Sequence, residues 1–390
     1  MADNENKDVE PKKDSKINAF VQKHGKKKLI IGTCGVVAVI VLIVGLSVGL
    51  TTCNKGSGST SSTSSSTTSG QTSSSNSSTA TSSSSLACTH TFTSGTLDLN
   101  NNKTYTSKCT KCGLEYSGTY DESYPITNIL YGYYPQSRLT DNTKITELEN
   151  TFSSVTDNQW CLSGDTYYVR ISASPYDSYN FDDGTSISSG TKYWFVCDPV
   201  SWKVLSNSDG KILMLSENVL TSCIYSNGRT SVEKYSNNYA DSYVRSYING
   251  DLYNTIFSAG DKGNQVLTTT VDNSASTMQG NYTEYACENT NDKVFLLSYQ
   301  DYVNTNYGFS SEAVNDDAKL GPATEYMRAT GSICDKSLGT YYSNYWTRSP
   351  YMSSDQATVF YGGSGSVGGQ IYNRTCGVRP AVTITLNEVN

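Results

Sequence analysis

The sequence predicts an α+β globular domain set behind a single transmembrane helix, a disordered Ser/Thr-rich linker and a small β module. Three observations predict this order. Leu29–Leu50 runs for 22 residues without a charge or a proline. Lys55–Ser85 is almost wholly Ser, Thr and Gly. Beyond these, Tyr124–Asn390 mixes aromatic and β-branched runs with stretches of helical period over 267 residues, long enough to bury a core.

Composition limits the function classes. The chain has 390 residues, a net charge of −7, 30 tyrosines and only 2 histidines. Charged residues make up 17%, and Ser, Thr, Asn, Gly and Tyr take their place on the surface. That mix suits an extracellular, adaptable binding face, since tyrosine gives contact area at low entropic cost. Nucleic acid is excluded as a partner, because phosphate binding needs a basic stripe.

Residues 1–28 read as a disordered cytoplasmic tail. They carry eight lysines against five acids, so the remainder of the chain stands at −10. At helical rise, Leu29–Leu50 reaches roughly 33 Å, enough to cross a hydrocarbon core of about 30 Å. The span is placed at 29–52, with membrane lipid as its partner. Lys23, Lys26, Lys27 and Lys28 crowd its first end, so the N-terminus is expected in the cytoplasm and the C-terminus outside the cell membrane. A lipoprotein anchored at Cys53 is the alternative, since Leu50-Thr51-Thr52-Cys53 faintly resembles a lipidation site. The linker at 53–87 cannot bury apolar area and is expected to stay unfolded.

The β module occupies 88–120. Asn100-Asn101-Asn102 reads as a turn between strands near Thr91–Leu99 and Lys103–Lys108. Its Cys88-x-His90 and Cys109-x-x-Cys112 offer four ligands that can close a tetrahedron on a structural Zn²⁺. Lys108 and Lys111 flank the second pair and offset thiolate charge. A module this small needs a staple. The alternative staple is a disulfide from Cys88 to Cys109 or Cys112.

Within 124–390, strands are expected at Tyr193–Cys197, Val200–Ser206, Lys211–Ser216, Lys293–Leu297, Ala357–Tyr361 and Ala381–Leu386. Ser208-Asp209-Gly210 marks a hairpin over Val200–Ser216. A helix is expected over Tyr239–Asn249, stopped by Gly250. A second opens at Ser298, where Asp301 completes a capping box.

Catalytic signals are weak. The globular region contains no histidine, so a Cys–His or Ser–His pair is excluded there. Cys161, Cys197, Cys223, Cys287, Cys334 and Cys376 can form up to three disulfides or stay as buried thiols. Asp182-Asp183-Gly184 and Asp316-Asp317 sit among Gly, Asn and Ser and read as solvated loops or weak Ca²⁺ ligands. Arg348 and Arg379 lie in apolar strands, where an arginine fixes the fold through acidic or carbonyl partners. With Trp202 and Trp346 they are expected to be structural.

The motifs GYYPQS (Gly132–Ser137), DPVSWKVL (Asp198–Leu205), SYVRSYINGDLYNTIFS (Ser242–Ser258), KVFLLSYQD (Lys293–Asp301), YWTRSP (Tyr345–Pro350) and GVRPAV (Gly377–Val382) resemble, in order, an uncharacterised domain family of bacterial surface proteins. Arg138–Thr191 is an insert outside that pattern. The family is similar to the C-type-lectin-like fold in its formylglycine-generating-enzyme branch, and the Cys/His module is similar to the zinc-ribbon-like segments that precede such domains. The resemblance implies a scaffold rather than an activity. The enzyme's cysteine pair and the lectins' calcium-holding triplets are not recognisable here.

By analogy with such folds, the loops between the last core strands form the ligand face. The candidate ligand-binding residues are Tyr341, Tyr342, Tyr345, Tyr351, Asp355, Tyr361, Tyr372 and Asn373. The expected function is a membrane-anchored, non-catalytic, adhesin-like module of a bacterial cell surface, binding a glycan, a peptide or a host surface. The alternatives are an enzyme that modifies envelope polymers through the acidic loops, and a structural surface spacer.

Overall fold

Asp209 and Gly210 both take positive φ, 53° and 70°, as a two-residue hairpin turn requires. They join two inner strands of the larger sheet, and the rest of the fold is built outward from that hairpin. The computed structural model describes residues 88–226, 236–257, 262–280, 283–312, 316–337, 339–361 and 366–386.

In chain order the first strands are β1 (Gly95–Asp98), β2 (Thr104–Lys108), β3 (Glu115–Thr119), β4 (Asn128–Arg138), β5 (Trp160–Ser163), β6 (Thr166–Ser172), β7 (Lys192–Ser208) and β8 (Lys211–Ser216). There follow β9 (Thr221–Ser222), β10 (Thr269–Val271), β11 (Thr290–Asp292), β12 (Val294–Phe295), β13 (Cys334–Ser337) and β14 (Thr340–Ser343). The last are β15 (Tyr345–Pro350), β16 (Gln356–Phe360), β17 (Ser366–Gln370), β18 (Gly377–Val378) and β19 (Ala381–Ile384).

The larger sheet runs β12-β19-β8-β7-β4-β1-β2-β3. β7 is long enough to serve two neighbours on one edge, with Lys192–Val196 on β6 and Trp202–Ser208 on β8. A five-stranded sheet runs β17-β16-β15-β18-β9. Its centre is β15, buried at all six positions.

Among the described residues strand takes 38% and helix 18%, so the expected α+β class is corrected to mainly β. The helical stretches are short and rich in Tyr, Asn, Ser and Thr, which are modest helix formers. The longest, α1 (Asn142–Thr151), has ten residues and is capped by Asp141, whose carboxylate accepts from the Thr143 amide at 2.8 Å. α2 (Tyr243–Tyr247) begins at the Ser242 cap. Gly250 does not stop it. A π turn at Ile248–Leu252 carries the chain into α3 (Tyr253–Phe257), because Ile248, Leu252, Ile256 and Phe257 are all buried against the core. α4 (Tyr299–Tyr302) opens on the Ser298–Asp301 capping box, and α5 (Glu325–Ala329) on Thr324.

The expected membrane helix and the single-pass localisation drawn from it are likewise corrected. No helix among the described residues is long and apolar enough to cross a membrane. The tail 1–28, the expected span 29–52, the linker at 53–87 and Cys53 lie outside the described residues.

The 88–120 segment shares the larger sheet. β1 pairs in parallel with β4, Leu97 opposite Ile129. Leu97, Leu99 and Tyr105 join the same buried cluster as Trp202 and Phe257. Asn100 ties the two together more closely than a turn residue needs to. Its side chain accepts from the Gly132 amide at 2.9 Å and donates to the Gly132 carbonyl at 3.2 Å. Gly132 sits at the bulge of β4 with φ +71°, and a Cβ there would lie 2.7 Å from the Ile256 carbonyl oxygen. The insert Arg138–Thr191 contributes a second small core of Leu148, Val155, Cys161 and Tyr168 packed on Trp194.

Candidate functional site

The Cys/His cluster is built by two chain segments. Cys109 to Leu114 folds into a knuckle in which the Cys109 amide donates to the Leu114 carbonyl at 2.8 Å and the Gly113 amide to the Cys109 carbonyl at 2.9 Å. Gly113 takes φ +74°, which turns the knuckle. The Thr110 amide donates to the Thr91 carbonyl at 3.0 Å, which brings His90 alongside. The ligand atoms of Cys88, His90, Cys109 and Cys112 all lie within 4.8 Å of one another, so the cluster can hold a metal ion. Cys112 Sγ and His90 Nδ1 are 3.4 Å apart. Ligands on a tetrahedral ion with bonds of about 2.0–2.3 Å would be separated by roughly 3.5–3.8 Å.

The thiols differ. The Thr91 amide donates to Cys109 Sγ at 3.4 Å, and that bond is the chief cause that holds the Cys109 thiol down to about 5. Cys88 is pushed up to about 11, first by its hydrogen bond with Cys112. Three thiols this close cannot all ionise alone, and a divalent ion removes that repulsion. All nine described cysteines are free, so no disulfide joins them.

The structural residues sit in the core. Trp202 donates to the Tyr131 carbonyl at 2.8 Å and Trp346 to the Cys223 carbonyl at 2.9 Å. Arg348 reaches the Leu296 carbonyl at 2.9 Å, the Asp272 carbonyl at 3.1 Å and Asp301 Oδ2 at 2.7 Å. Arg379 gives its Nε to the Ser216 carbonyl at 2.9 Å and stacks on Tyr345 at 5.4 Å.

The eight candidate ligand residues fall into three groups. Tyr345 is fully buried and donates to the Lys319 carbonyl at 2.6 Å, so it is a core residue. Tyr341 and Tyr342 line two neighbouring clefts that share Pro322. Tyr351, Asp355, Tyr361, Tyr372 and Asn373 lie on the β16–β17 hairpin and its flanks, of which residues 362–365 lie outside the described set. Asp355 contacts the Ser353 hydroxyl, and Asn373 accepts from the Thr375 amide at 3.0 Å, so both brace the loop. Tyr361 and Tyr372 are exposed, at 46% and 51%.

The smaller cleft, of about 490 Å³, holds residues that the sequence did not single out. Glu325 at the start of α5 accepts from the Arg138 amide at 2.6 Å and the Asp182 amide at 2.8 Å. Arg328 reaches Asp182 at 2.6 Å and stacks on Tyr341 at 4.6 Å. Asp183 pairs with Arg138. Asp316 accepts from the Ser310 amide at 2.7 Å and pairs with the buried Lys319 at 3.4 Å. Both acidic loops are therefore held by arginine, lysine and backbone amides. Burial pushes the Asp198 carboxyl up, against the Ser137 amide that donates to it at 3.1 Å.

The larger cleft, of about 840 Å³, is lined by β7 residues and by residues from 306–308 and 317–322, with Lys203 and Arg379 among them. Lys319, fully buried, braces the 310–312 stretch by donating to the Ser310 carbonyl at 2.9 Å and to the Glu312 carbonyl. Only the spacing Asp316-x-x-Lys319 hints at this in the sequence.

Fold and site together describe a mainly β protein with a Cys₃His cluster at one end of its larger sheet. Residues 209–386, less than half of the chain, match a family described as a domain of unknown function (DUF6273). The matched stretch contains the 242–258, 293–301, 345–350 and 377–382 motifs, and it begins after GYYPQS and DPVSWKVL. No curated protein and no solved structure matches the chain.

Proposed function

We propose that this chain is a non-catalytic ligand-binding module whose N-terminal β ribbon is closed by one structural zinc ion. The observation that carries the binding reading is where exposed apolar side chains collect. Among the described residues eight large hydrophobic side chains are exposed, and four of them, Met352, Tyr361, Val367 and Tyr372, belong to the 351–373 stretch. They lie along the β16–β17 hairpin and its flanks, with Tyr361 beyond the Phe360–Ser366 end and Tyr372 beyond the Gln356–Gln370 end, and exposed apolar side chains concentrated on one hairpin mark an interaction surface more often than residues scattered over a whole fold do. A glycan is the favoured ligand, because tyrosine faces cover the apolar faces of sugar rings while the amides and hydroxyls serve their polar edges.

Zinc is supported by the donor set. Three thiolates and an imidazole prefer a borderline-soft ion, and four protein ligands leave no open position for chemistry. Metal analysis of the purified chain is expected to give one zinc per molecule. A loss of two mass units, from a Cys88 disulfide, contradicts it.

The binding reading is tested on a combined glycan and peptide array, with the 390-residue chain and its Tyr361→Ala/Tyr372→Ala variant. The expected result is glycan binding that falls at least tenfold in the variant. Binding to peptides alone reassigns the ligand class, and a blank array refutes the reading.

A further inference from the structure

Among the described residues five arginines sit in ion pairs: Arg138, Arg170, Arg245, Arg328 and Arg348 each reach an Asp or Glu oxygen. Arg379 is buried more deeply than all of them but Arg328, at 3% exposure, yet no carboxylate of the described residues lies within ion-pairing distance of it. Its Nη1 is buried without a hydrogen-bond partner among the described residues. A buried guanidinium in this state is costly, since desolvated charges normally persist only when paired.

Arg379 lines the larger cleft, and a second cation, Lys203, lines it too. Lys203 has no ion pair among the described residues, and its Nζ lies over the Phe309 ring at 5.1 Å. Burial and then the positive charge of Arg379 hold the Lys203 ammonium below its usual range. Two like charges that repel one another across a shared cavity point to a missing anion.

The acids of the cleft do not fill that place. Glu217 has one oxygen on the Asn128 side chain at 2.7 Å and the other on the Ser201 hydroxyl. Asp317 is exposed. Asp316 also acts on Lys203, but it is paired with the buried Lys319 at 3.4 Å. With Glu217 set against Lys203, Asp316 against Lys319 and Asp317 in solvent, about one positive charge, that of Arg379, is left without an acid. One charge matches a carboxylate better than a doubly ionised phosphate, and the planar guanidinium fits a carboxylate's two oxygens.

We propose that this cleft binds a small monocarboxylate, whose carboxylate takes the position of the acid that Arg379 lacks. The body of the ligand lies against Tyr307, Tyr342, Leu320 and Pro322, in a space of about 840 Å³, within the usual size of a small-molecule site. The site is separate from the tyrosine-bearing hairpin and does not depend on it.

The test is calorimetric titration of the 390-residue chain with acetate, benzoate and D-glucuronate, with benzamide and glucose as uncharged controls and inorganic phosphate as the competing anion. At least one carboxylate is expected to bind saturably, at least tenfold more tightly than its uncharged control. Lys203→Met and Arg379→Met each weaken that binding at least tenfold. Lys203 is half-buried at the wall, so Lys203→Met stays folded and decides the matter if Arg379→Met does not fold. Tyr361→Ala leaves the affinity unchanged, which separates this site from the hairpin face. The proposal is overturned if no carboxylate binds, if phosphate binds more tightly, or if Lys203→Met binds as well as the parent.

Discussion

Arg348→Met tests how the two sheets are locked together. The side chain joins β15 to the Leu296 carbonyl just past the end of β12, to the Asp272 carbonyl, and to Asp301 at the cap of α4. Methionine keeps much of the apolar stem and removes all three bonds. The Leu296 carbonyl, on a fully buried residue, then loses the Arg348 donor. Asp301 keeps the Ser298 amide and hydroxyl, both at 2.8 Å, so its charge is only partly stranded. Breaking a buried pair from one side costs about 3–5 kcal/mol. For a unit of this size that corresponds to a fall in Tm of roughly 6–15 °C. Arg348→Lys, which keeps the charge but not the fork, should lose about 1–3 kcal/mol. Scanning calorimetry and urea unfolding read both. A Met variant within about 1 kcal/mol of the parent would refute the argument that Arg348 is a structural lock.

Three further predictions follow from other parts of the fold. Gly132→Ala places a Cβ against the Ile256 backbone at positive φ, and overpacking plus left-handed strain should cost about 2–5 kcal/mol in urea unfolding. Asp198→Asn should raise the Tm at pH 7 and leave it unchanged at pH 3. Burial raises this carboxyl above its unfolded value, so its contribution is whole below the unfolded pKa and lost as pH climbs through the folded one; a lower Tm at pH 7 contradicts this. Chelation should speed amide exchange in β3 and the 109–114 knuckle at least tenfold while β7 and β8 stay protected, because β1 and β2 keep the β1–β4 ladder, the Asn100–Gly132 bonds and the burial of Leu97 and Tyr105; uniform protection in both states speaks against a metal staple.

Local chemistry was legible in the sequence where it is settled by neighbouring residues. Ser208-Asp209-Gly210 marks a turn because few residues other than Gly, Asn and Asp tolerate positive φ. Ser298 and Asp301 mark a cap by spacing alone. The Cys/His spacing brought four ligands to one place for a similar reason: a knuckle and a short turn leave the chain few ways to close. Gly250 misled, because burial of Ile248, Leu252 and Ile256 outweighs about 1 kcal/mol of glycine propensity. The α+β expectation failed because helical period was read over stretches too short to carry long helices.

Long-range partnerships were not legible. Arg348 and Arg379 sit in similar motifs, Trp-Thr-Arg-Ser-Pro and Gly-Val-Arg-Pro-Ala, yet only Arg348 meets an acid. Asn100 looks like one of three turn asparagines, and only the parallel pairing of β1 with β4 brings it to the Gly132 bulge. Tyr345 and Tyr361 have the same composition-level claim to a binding face. One is buried under Lys319 and the other is exposed, which depends on strand register rather than on residue type.

The central claim is that exposed tyrosines on the β16–β17 hairpin and its flanks bind a ligand. Its most direct test is the dissociation constant of the strongest array glycan for the parent chain, for Tyr361→Ala and for Tyr372→Ala, beside Tyr176→Ala as an equally exposed tyrosine elsewhere. The account predicts that each hairpin variant weakens binding at least tenfold while Tyr176→Ala leaves it within twofold. Equal affinity across all four proteins would contradict it.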